Sequence, residues 1–202
     1  MHQQNLLDRT TIVALSTPPG VSAIALIRLS GADAIAITNK VFDKDILNAS
    51  GYSVHYGSIK NEENAVDDVI VTIFKGPKSF TGENSVEIAC HGSTFIQQSI
   101  IELLLQNGAT MAKAGEFSKR AFFNGKMDLS QTEAIADLIH STSSAAHQVA
   151  MNQMRGGFSN DLKVLREKLI HFASMIELEL DFSEEDVEFA DRTELHKLVS
   201  EV

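Results

Sequence analysis

The chain has 202 residues, a net charge of −10 and 44% hydrophobic residues, a composition typical of a folded globular protein and not of a disordered or fibrous one. It contains no apolar run near the roughly 20 residues that a membrane-spanning helix needs, and its N-terminus lacks the basic and apolar regions of a secretory signal. The single cysteine excludes an internal disulfide and suits a reducing compartment, so we expect a cytoplasmic protein.

The negative charge is concentrated in the C-terminal quarter of the chain. Residues 157–202 hold 12 acidic and 5 basic residues, a net of −7, whereas residues 1–156 have a net of −3. Proteins that bind nucleic acid alone usually carry a basic stripe, because neutralising phosphates supplies most of their affinity. The sequence shows no such stripe, so we expect any RNA contact to require a partner.

The first 115 or so residues mix strand and helix patterns. Apolar strands are predicted at about 11–16 and 22–29, and in VHYGSI, VDDVIVTIF, NSVEIACH and the short ATMAKA. Between strands, Ser30 is expected to cap a helix that runs to about Phe42. A second helix is expected to begin at Ser93 or Thr94 and to end at Gly108.

After about residue 115 only helical patterns remain. GEFSKRAFFNG predicts a short helix that ends at Gly125, and Ser130 with Glu133 forms a capping box that predicts one long helix over QTEAIADLIHSTSSAAHQVAMNQM. We therefore predict an α+β protein, with a mixed α/β domain over residues 1–118 and an all-α helical domain over residues 119–202.

The last part of the chain indicates an incomplete helical domain. Gly156-Gly157 interrupts the long helix, and the next helix carries an apolar stripe, formed by Leu162, Leu165, Leu169, Phe172 and Ile176. We expect further sequence or a second subunit to cover this stripe. A fresh amphipathic helix, ADRTELHKLVSEV, then runs to Val202 without a stop signal, so we expect the chain to be a piece of a larger protein.

The dipeptide Cys90-His91 invites interpretation as a reactive pair. Side chains alternate between the two faces of a strand, so Cys90 falls with Val86 and Ile88 on an apolar face, whereas His91 falls with Glu87 on the other. Cys90 is therefore predicted to be a small core residue and not a nucleophile.

Glu87 and Arg28 are the two residues that a purely structural interpretation explains least well. Glu87 lies between apolar neighbours in mid-strand, and Arg28 ends the apolar run AIALIRL. They could form a salt bridge, or they could line a pocket for a ligand with paired N–H donors and a carbonyl or carboxylate. Lys126, in the loop NGKMDLSQTEA between the domains, could reach toward the same place.

Motifs for other chemistry are absent from the sequence. GPKSFTGEN differs from a phosphate-binding loop in glycine spacing and lacks the Lys-Ser/Thr dipeptide, and there is no G-x-G-x-x-G or G-x-S-x-G motif. His140 and His147 are two helical turns apart, which does not suit a metal pair. We predict no metal site and no catalytic residue in this chain.

Five segments in order, from about Asp8 to Phe189, resemble the family of tRNA-modifying GTPases known as MnmE or TrmE. They are TIVALSTPPG, ALIRLSG, GPKSFTGENSVEIACHG, AGEFSKRAFFNGKMDLSQTEAIADLI and IELELDFSEEDVEF. Departures are mild: Ala114 stands where the family usually has proline, and Met127 where it usually has leucine. The resemblance implies an N-terminal domain related to the tetrahydrofolate-binding domains of aminomethyltransferases, which also mediates homodimerisation. It further implies a helical domain into which a GTPase domain is inserted.

The resemblance also implies a function. With a flavin-dependent partner subunit (MnmG, also called GidA), the family adds an aminomethyl-type group to C5 of the wobble uridine of certain tRNAs, and a folate supplies the carbon. The family's contacts to 5-formyltetrahydrofolate fall on Arg28, Glu87 and Lys126; methylenetetrahydrofolate is the other candidate folate. GTP, Mg²⁺ and K⁺ are expected only in the GTPase domain, whose motifs lie beyond residue 202, so this chain is expected to be inactive as a GTPase.

Two other functions remain open from the sequence. A free-standing folate-dependent one-carbon transferase would need an acid or base near the reacting carbon, and His91 is the candidate on the same strand face as Glu87. A purely structural helical dimer would bind no small molecule.

Overall fold

The computed structural model of the chain describes residues 10–61 and 64–181, together with residues 193 and 197. The helix predicted in ADRTELHKLVSEV lies almost wholly outside the described residues. The chain divides into two compact units, Met1–Asp128 and Leu129–Val202. None of the helices in the described part is both long and apolar enough to cross a membrane.

The first unit is built on a six-stranded mixed sheet with the order β3-β4-β5-β2-β1-β6. Its strands are β1 (Ile12–Leu15), β2 (Ser22–Ser30), β3 (Ser53–Asn61), β4 (Asn64–Phe74), β5 (Ser85–Gly92) and β6 (Thr110–Met111). Its helices are α1 (Ala34–Val41), α2 (Thr94–Gln106) and α3 (Glu116–Phe123). All neighbouring strands are antiparallel except β1 and β6, which are parallel.

One face of the sheet packs against α1 and α2 to form the core, because alternate residues of each strand are apolar. On β5 these residues are Val86, Ile88 and Cys90, so the prediction that Cys90 is a core residue is confirmed. Burial, with a smaller contribution from the charge of Asp67, raises the pKa of the Cys90 thiol to about 11. The opposite face, which we call the outer face, carries Arg28 and Glu87.

The predicted role of Ser30 as a helix cap is wrong. Ser30 is the last residue of β2, and α1 begins only at Ala34, with Asp33 in the N-cap position. The Ser30 hydroxyl is buried and donates a hydrogen bond to Glu83 Oε2 (2.7 Å), so it is engaged in a contact that joins distant parts of the chain.

The first compact unit ends at Asp128, ten residues after the domain boundary expected at residue 118. The reason is that α3 is tied to the first unit by the buried side chain of Arg120. Its Nη1 donates to the carbonyl of Thr10 (2.9 Å) and to Glu83 Oε2 (3.2 Å). These long-range contacts have no local sequence signature.

The second unit contains α4 (Leu129–His140), α5 (Ser144–Met154) and α6 (Gly157–Asp181). The prediction of one long helix before Gly156 is wrong, because α4 ends at His140 and residues 141–143 form a non-helical connection to α5. There Ser143 caps α5 by accepting a hydrogen bond from the Ala146 N–H (3.2 Å). Serine and threonine compete with the helix for backbone hydrogen bonds, so the STSS stretch favours an end and a new start.

The capping box at Ser130 is also wrong in its detail. The helix begins at Leu129, one residue before Ser130. The hydroxyl and the carbonyl of Ser130 both accept hydrogen bonds from Gln153 Nε2, at 3.2 and 3.3 Å. Ser130 therefore links α4 to α5. The interruption at Gly156-Gly157 is confirmed, since Gly156 has a φ of +82° after α5 ends.

The apolar stripe of α6 is largely exposed. Leu162, Leu169 and Ile176 all present more than a third of their surface to solvent. The expectation that further sequence or a second subunit covers this stripe stays a prediction.

Candidate ligand-binding site on the outer face

Arg28 and Glu87 form an ion pair at the centre of the outer face. The register of β2 and β5 sets the two residues directly opposite each other. Arg28 donates from Nε (2.9 Å) and Nη2 (2.7 Å) to the same carboxylate oxygen, Oε1 of Glu87. The second oxygen, Oε2, accepts no hydrogen bond from a described residue. Oε2 is not among the fully buried side-chain atoms of the described residues, and the Glu87 side chain is 23% exposed, so a ligand can reach that oxygen.

Two aromatic rings adjoin the ion pair. The Arg28 guanidinium carbon lies 5.3 Å from the ring centroid of Phe80 and 5.8 Å from that of Phe117. Both distances are within the range of a cation–π contact. The rings hold the guanidinium in place and offer flat apolar surface to a planar heterocycle.

Phe80 belongs to a loop, residues 75–84, that joins β4 to β5 and is held by several side-chain hydrogen bonds. Asn124 Nδ2 donates to the carbonyl of Thr81 (2.7 Å), and the Thr81 hydroxyl lies 2.6 Å from that of Ser30. Gly82 has a φ of +81°, which a residue with a Cβ rarely adopts. The loop therefore presents Phe80 from a defined position.

A buried arginine connects this loop to the helix that carries Phe117. Arg120 is 1% exposed and donates to Glu83 in the loop (3.2 Å) and to Glu116 in α3 (3.0 Å). Although burial alone would raise the pKa of Glu116, the backbone N–H of Lys113 and the Arg120 guanidinium lower it overall. The two aromatic residues of the site are thus positioned through one ionic cluster.

Sequence reasoning missed Phe80, Phe117 and the cluster around Arg120. One signal was available: Glu116 and Arg120 are four residues apart on a predicted helix, and Arg120 directly precedes the apolar run Ala-Phe-Phe. The contact with Glu83 spans 37 residues of chain and had no such signal.

Lys126 follows α3, and its side chain contacts the 75–84 loop and not the ion pair. Its Nζ donates to the carbonyl of Pro77 (3.0 Å), and its backbone N–H donates to the carbonyl of Ala121 (2.9 Å). Of the three sequence-predicted site residues, the structure thus brings Arg28 and Glu87 into contact. It places the third against residues 75–84, with its ammonium exposed.

His91 is paired with Asp67 and is separate from the site. Asp67 accepts hydrogen bonds from the backbone N–H of His91 (2.8 Å) and pairs with its Nδ1 (2.7 Å). His91 is four positions beyond Glu87 along β5, a distance of roughly 13 Å. Within the described ranges there is no group of three or more His, Cys, Asp or Glu side chains that could hold a metal ion.

The chain is similar to known proteins over nearly its whole length. Residues 11–126 match the family described as "GTP-binding protein TrmE N-terminus", and residues 129–202 match the "MnmE helical domain". Proteins named tRNA modification GTPase MnmE are similar: that of Cytophaga hutchinsonii is 61% identical over 193 residues, which are 95% of this chain and 42% of the relative. That of Flavobacterium johnsoniae is 56% identical over 201 residues, 98% of this chain and 43% of the relative. The chain therefore spans less than half the length of these relatives.

Proposed function

The chain belongs to the MnmE family of tRNA modification GTPases, and on that premise we propose that its first unit binds a reduced folate at the Arg28–Glu87 pair. The folate is 5-formyltetrahydrofolate or methylenetetrahydrofolate. The proposal rests on the hydrogen bonding of Glu87. Both Arg28 donors bind its Oε1, and its Oε2 remains accessible to a ligand.

The chemistry of a pterin suits this arrangement. A pterin presents a ring N–H and an amino group side by side, and a fixed carboxylate is the acceptor that such paired donors need. Phe80 and Phe117 supply aromatic surface next to the carboxylate's partner, Arg28. Lys126 is then available for the oxygens at the opposite end of the folate.

For the whole protein we propose the activity that the relatives' names state, modification of tRNA coupled to GTP hydrolysis. The finer reaction would be addition of a folate-derived carbon at C5 of the wobble uridine, together with the flavin-dependent subunit MnmG. GTP, Mg²⁺ and K⁺ would act in a GTPase domain, whose phosphate-loop motif does not occur in these 202 residues. Because the chain is acidic and tRNA phosphates are bound mainly by basic residues, we propose that the partner subunit makes most of the tRNA contacts.

Homodimerisation through the first unit is part of the proposal. The outer face exposes a group of large apolar side chains on β2, β3 and β4, namely Ile24, Val54, Tyr56 and Ile70. Each has between 46% and 66% of its surface exposed. Clustered apolar surface on one face of a sheet is typical of a protein–protein interface, which supports a second copy at this face.

A free-standing transferase is less well supported by the geometry. Such an enzyme needs an acid or base at the one-carbon centre, and His91 is directed into its contact with Asp67 at a distance of several residues along β5. No observation on the outer face favours this alternative over the first.

The proposal is tested by calorimetric titration of 5-formyltetrahydrofolate into the chain and into a Glu87→Gln variant. A hydrogen bond to a charged group contributes about 1.5–3 kcal/mol, so we expect roughly 10- to 100-fold weaker binding by the variant. The Glu87 side chain is 23% exposed, and glutamine keeps its shape and an oxygen that can accept from Arg28, so the substitution should change the free energy of unfolding by only about 1–2 kcal/mol.

Glu102→Gln is the matched control, because it removes one exposed carboxylate from α2, which packs on the core face of the sheet. It should bind folate like the unmodified chain. Equal affinities for the Glu87 and Glu102 variants would refute the proposed site, and absence of binding by the unmodified chain would refute folate binding by this chain.

A further inference from the structure

Three lysines surround one tight turn at the start of the 75–84 loop. The backbone N–H of Lys78 donates to the carbonyl of Lys75 (3.0 Å) and closes the turn, and Lys126 Nζ donates to the carbonyl of Pro77 within it. All three side chains are exposed. None of them forms an ion pair with a carboxylate of the described residues, so their positive charge is not compensated there. We call this group of Lys75, Lys78 and Lys126 the lysine turn.

The lysine turn is held in one shape by the backbone around it. The N–H of Gly76 donates to Asn84 Oδ1 (3.1 Å), which ties the start of the loop to its end. A Cβ at Gly76 would lie 2.7 Å from the carbonyl oxygen of Gly82, so only glycine fits there. The positions of the three lysine Cα atoms are therefore set before any ligand arrives.

Lys75 and Lys78 of the lysine turn belong to the same loop, residues 75–84, as Phe80, the residue whose ring contacts the ion pair. Lys78 precedes Phe80 by two residues, a span of at most about 7 Å, and the Phe80 ring contacts Arg28. A ligand whose ring is bound at Glu87 and whose other end is anionic can therefore extend from the ion pair toward the lysine turn.

We propose that the lysine turn binds the γ-linked glutamate tail of a polyglutamylated folate and makes the site prefer folates with several glutamates over the monoglutamate. This inference rests on the proposed function. Each additional glutamate brings one carboxylate, and the ammonium groups of Lys75 and Lys78 supply partners for carboxylates beyond the one that Lys126 can take.

A small oligo-anion suits this surface better than RNA does. Autonomous RNA binding uses many phosphate contacts along a basic stripe, whereas the lysine turn offers three cations at one point of a chain with a net charge of −10. The number of cations matches a tail of a few carboxylates.

The test is calorimetric titration of the chain with the monoglutamate and the triglutamate of 5-formyltetrahydrofolate at low salt. Two exposed ion pairs should together make the triglutamate bind roughly two- to thirtyfold more tightly. This advantage should shrink as salt is raised, because the charges are exposed to screening.

The double variant Lys75→Ala/Lys78→Ala should lose the advantage of the triglutamate and keep the affinity for the monoglutamate. Lys40→Ala/Lys60→Ala is the control, because it removes the same charge from α1 and from the C-terminal end of β3, outside the 75–84 loop. This variant should still bind the triglutamate more tightly than the monoglutamate.

The outcomes separate the two proposals. If neither folate binds the unmodified chain, the proposed function fails and the tail site fails with it. If both folates bind equally well, or if the double variant keeps the advantage, only the tail site is refuted. Loss of tRNA binding by the double variant without any loss of the tail advantage would likewise refute it and assign the surface to RNA.

Discussion

Substitution of Arg120 by methionine should destabilise the first unit and weaken its ligand site. The change keeps an unbranched, flexible side chain but removes the guanidinium that donates to Thr10, Glu83 and Glu116. Removing one partner of a buried ionic cluster costs about 3–5 kcal/mol. Because the Glu83 and Glu116 side chains are 23% and 18% exposed, water can replace part of what is lost, and we expect about 2–4 kcal/mol.

The assay is urea unfolding followed by tyrosine fluorescence. The chain has two tyrosines and no tryptophan, and Tyr52 and Tyr56 both belong to the first unit, so the signal reports that unit alone. Lys119→Met is the matched control, since it removes one exposed cation from the same helix and should cost at most about 1 kcal/mol.

If the Arg120 and Lys119 variants have the same free energy of unfolding, the reasoning about the buried cluster is refuted. A folded Arg120 variant should also bind folate more weakly than the control, because the cluster positions the loop of Phe80 and the helix of Phe117. Unchanged folate affinity in a destabilised variant would limit Arg120 to a structural role.

Three further predictions concern the two faces of the sheet. Since the pKa of Cys90 is raised to about 11, alkylation at pH 8 should be at least roughly 100-fold slower in the folded chain than in urea; equal rates would contradict the placement of Cys90 in the core. The stability contributed by its protonated state is complete below pH 9 and declines as the pH rises toward 11. On the outer face, Val54→Asp/Tyr56→Asp should convert the proposed dimer to a monomer in light-scattering measurements while circular dichroism stays unchanged. A dimer that survives both substitutions would place the interface elsewhere.

The sheet could be predicted from the sequence because its strands carry strong local signals. The observed β2 and β5 agree closely with the strands predicted from apolar patterning, and that same patterning exposed Arg28 and Glu87 as residues out of place. Their contact then follows from the register of two antiparallel strands. The strand positions and the buried face depend on nearby residues, whereas the pairing of β2 with β5 joins residues 59 positions apart and could not be predicted in this way.

The rest of the site could not be predicted because it depends on contacts between distant parts of the chain. Phe80 and Phe117 reach Arg28 across 52 and 89 residues of sequence, one from a loop and the other from a helix. Lys126 illustrates the same limit, because the resemblance implies a folate contact at this residue but the sequence carries no sign of its contact with Pro77. The break between α4 and α5 was missed for a local reason, since the apolar pattern continues across a serine- and threonine-rich stretch that favours a cap.

The most direct test of folate binding at the Arg28–Glu87 pair is nuclear magnetic resonance of the ¹⁵N-labelled chain during titration with 5-formyltetrahydrofolate. Binding at the proposed site should shift the side-chain Nε–H signal of Arg28 and the backbone signals of Phe80 and Glu87 together, with one dissociation constant. Signals of the second unit should not change at the same ligand concentrations. Saturable shifts confined to other residues, or no shifts at all, would contradict the account.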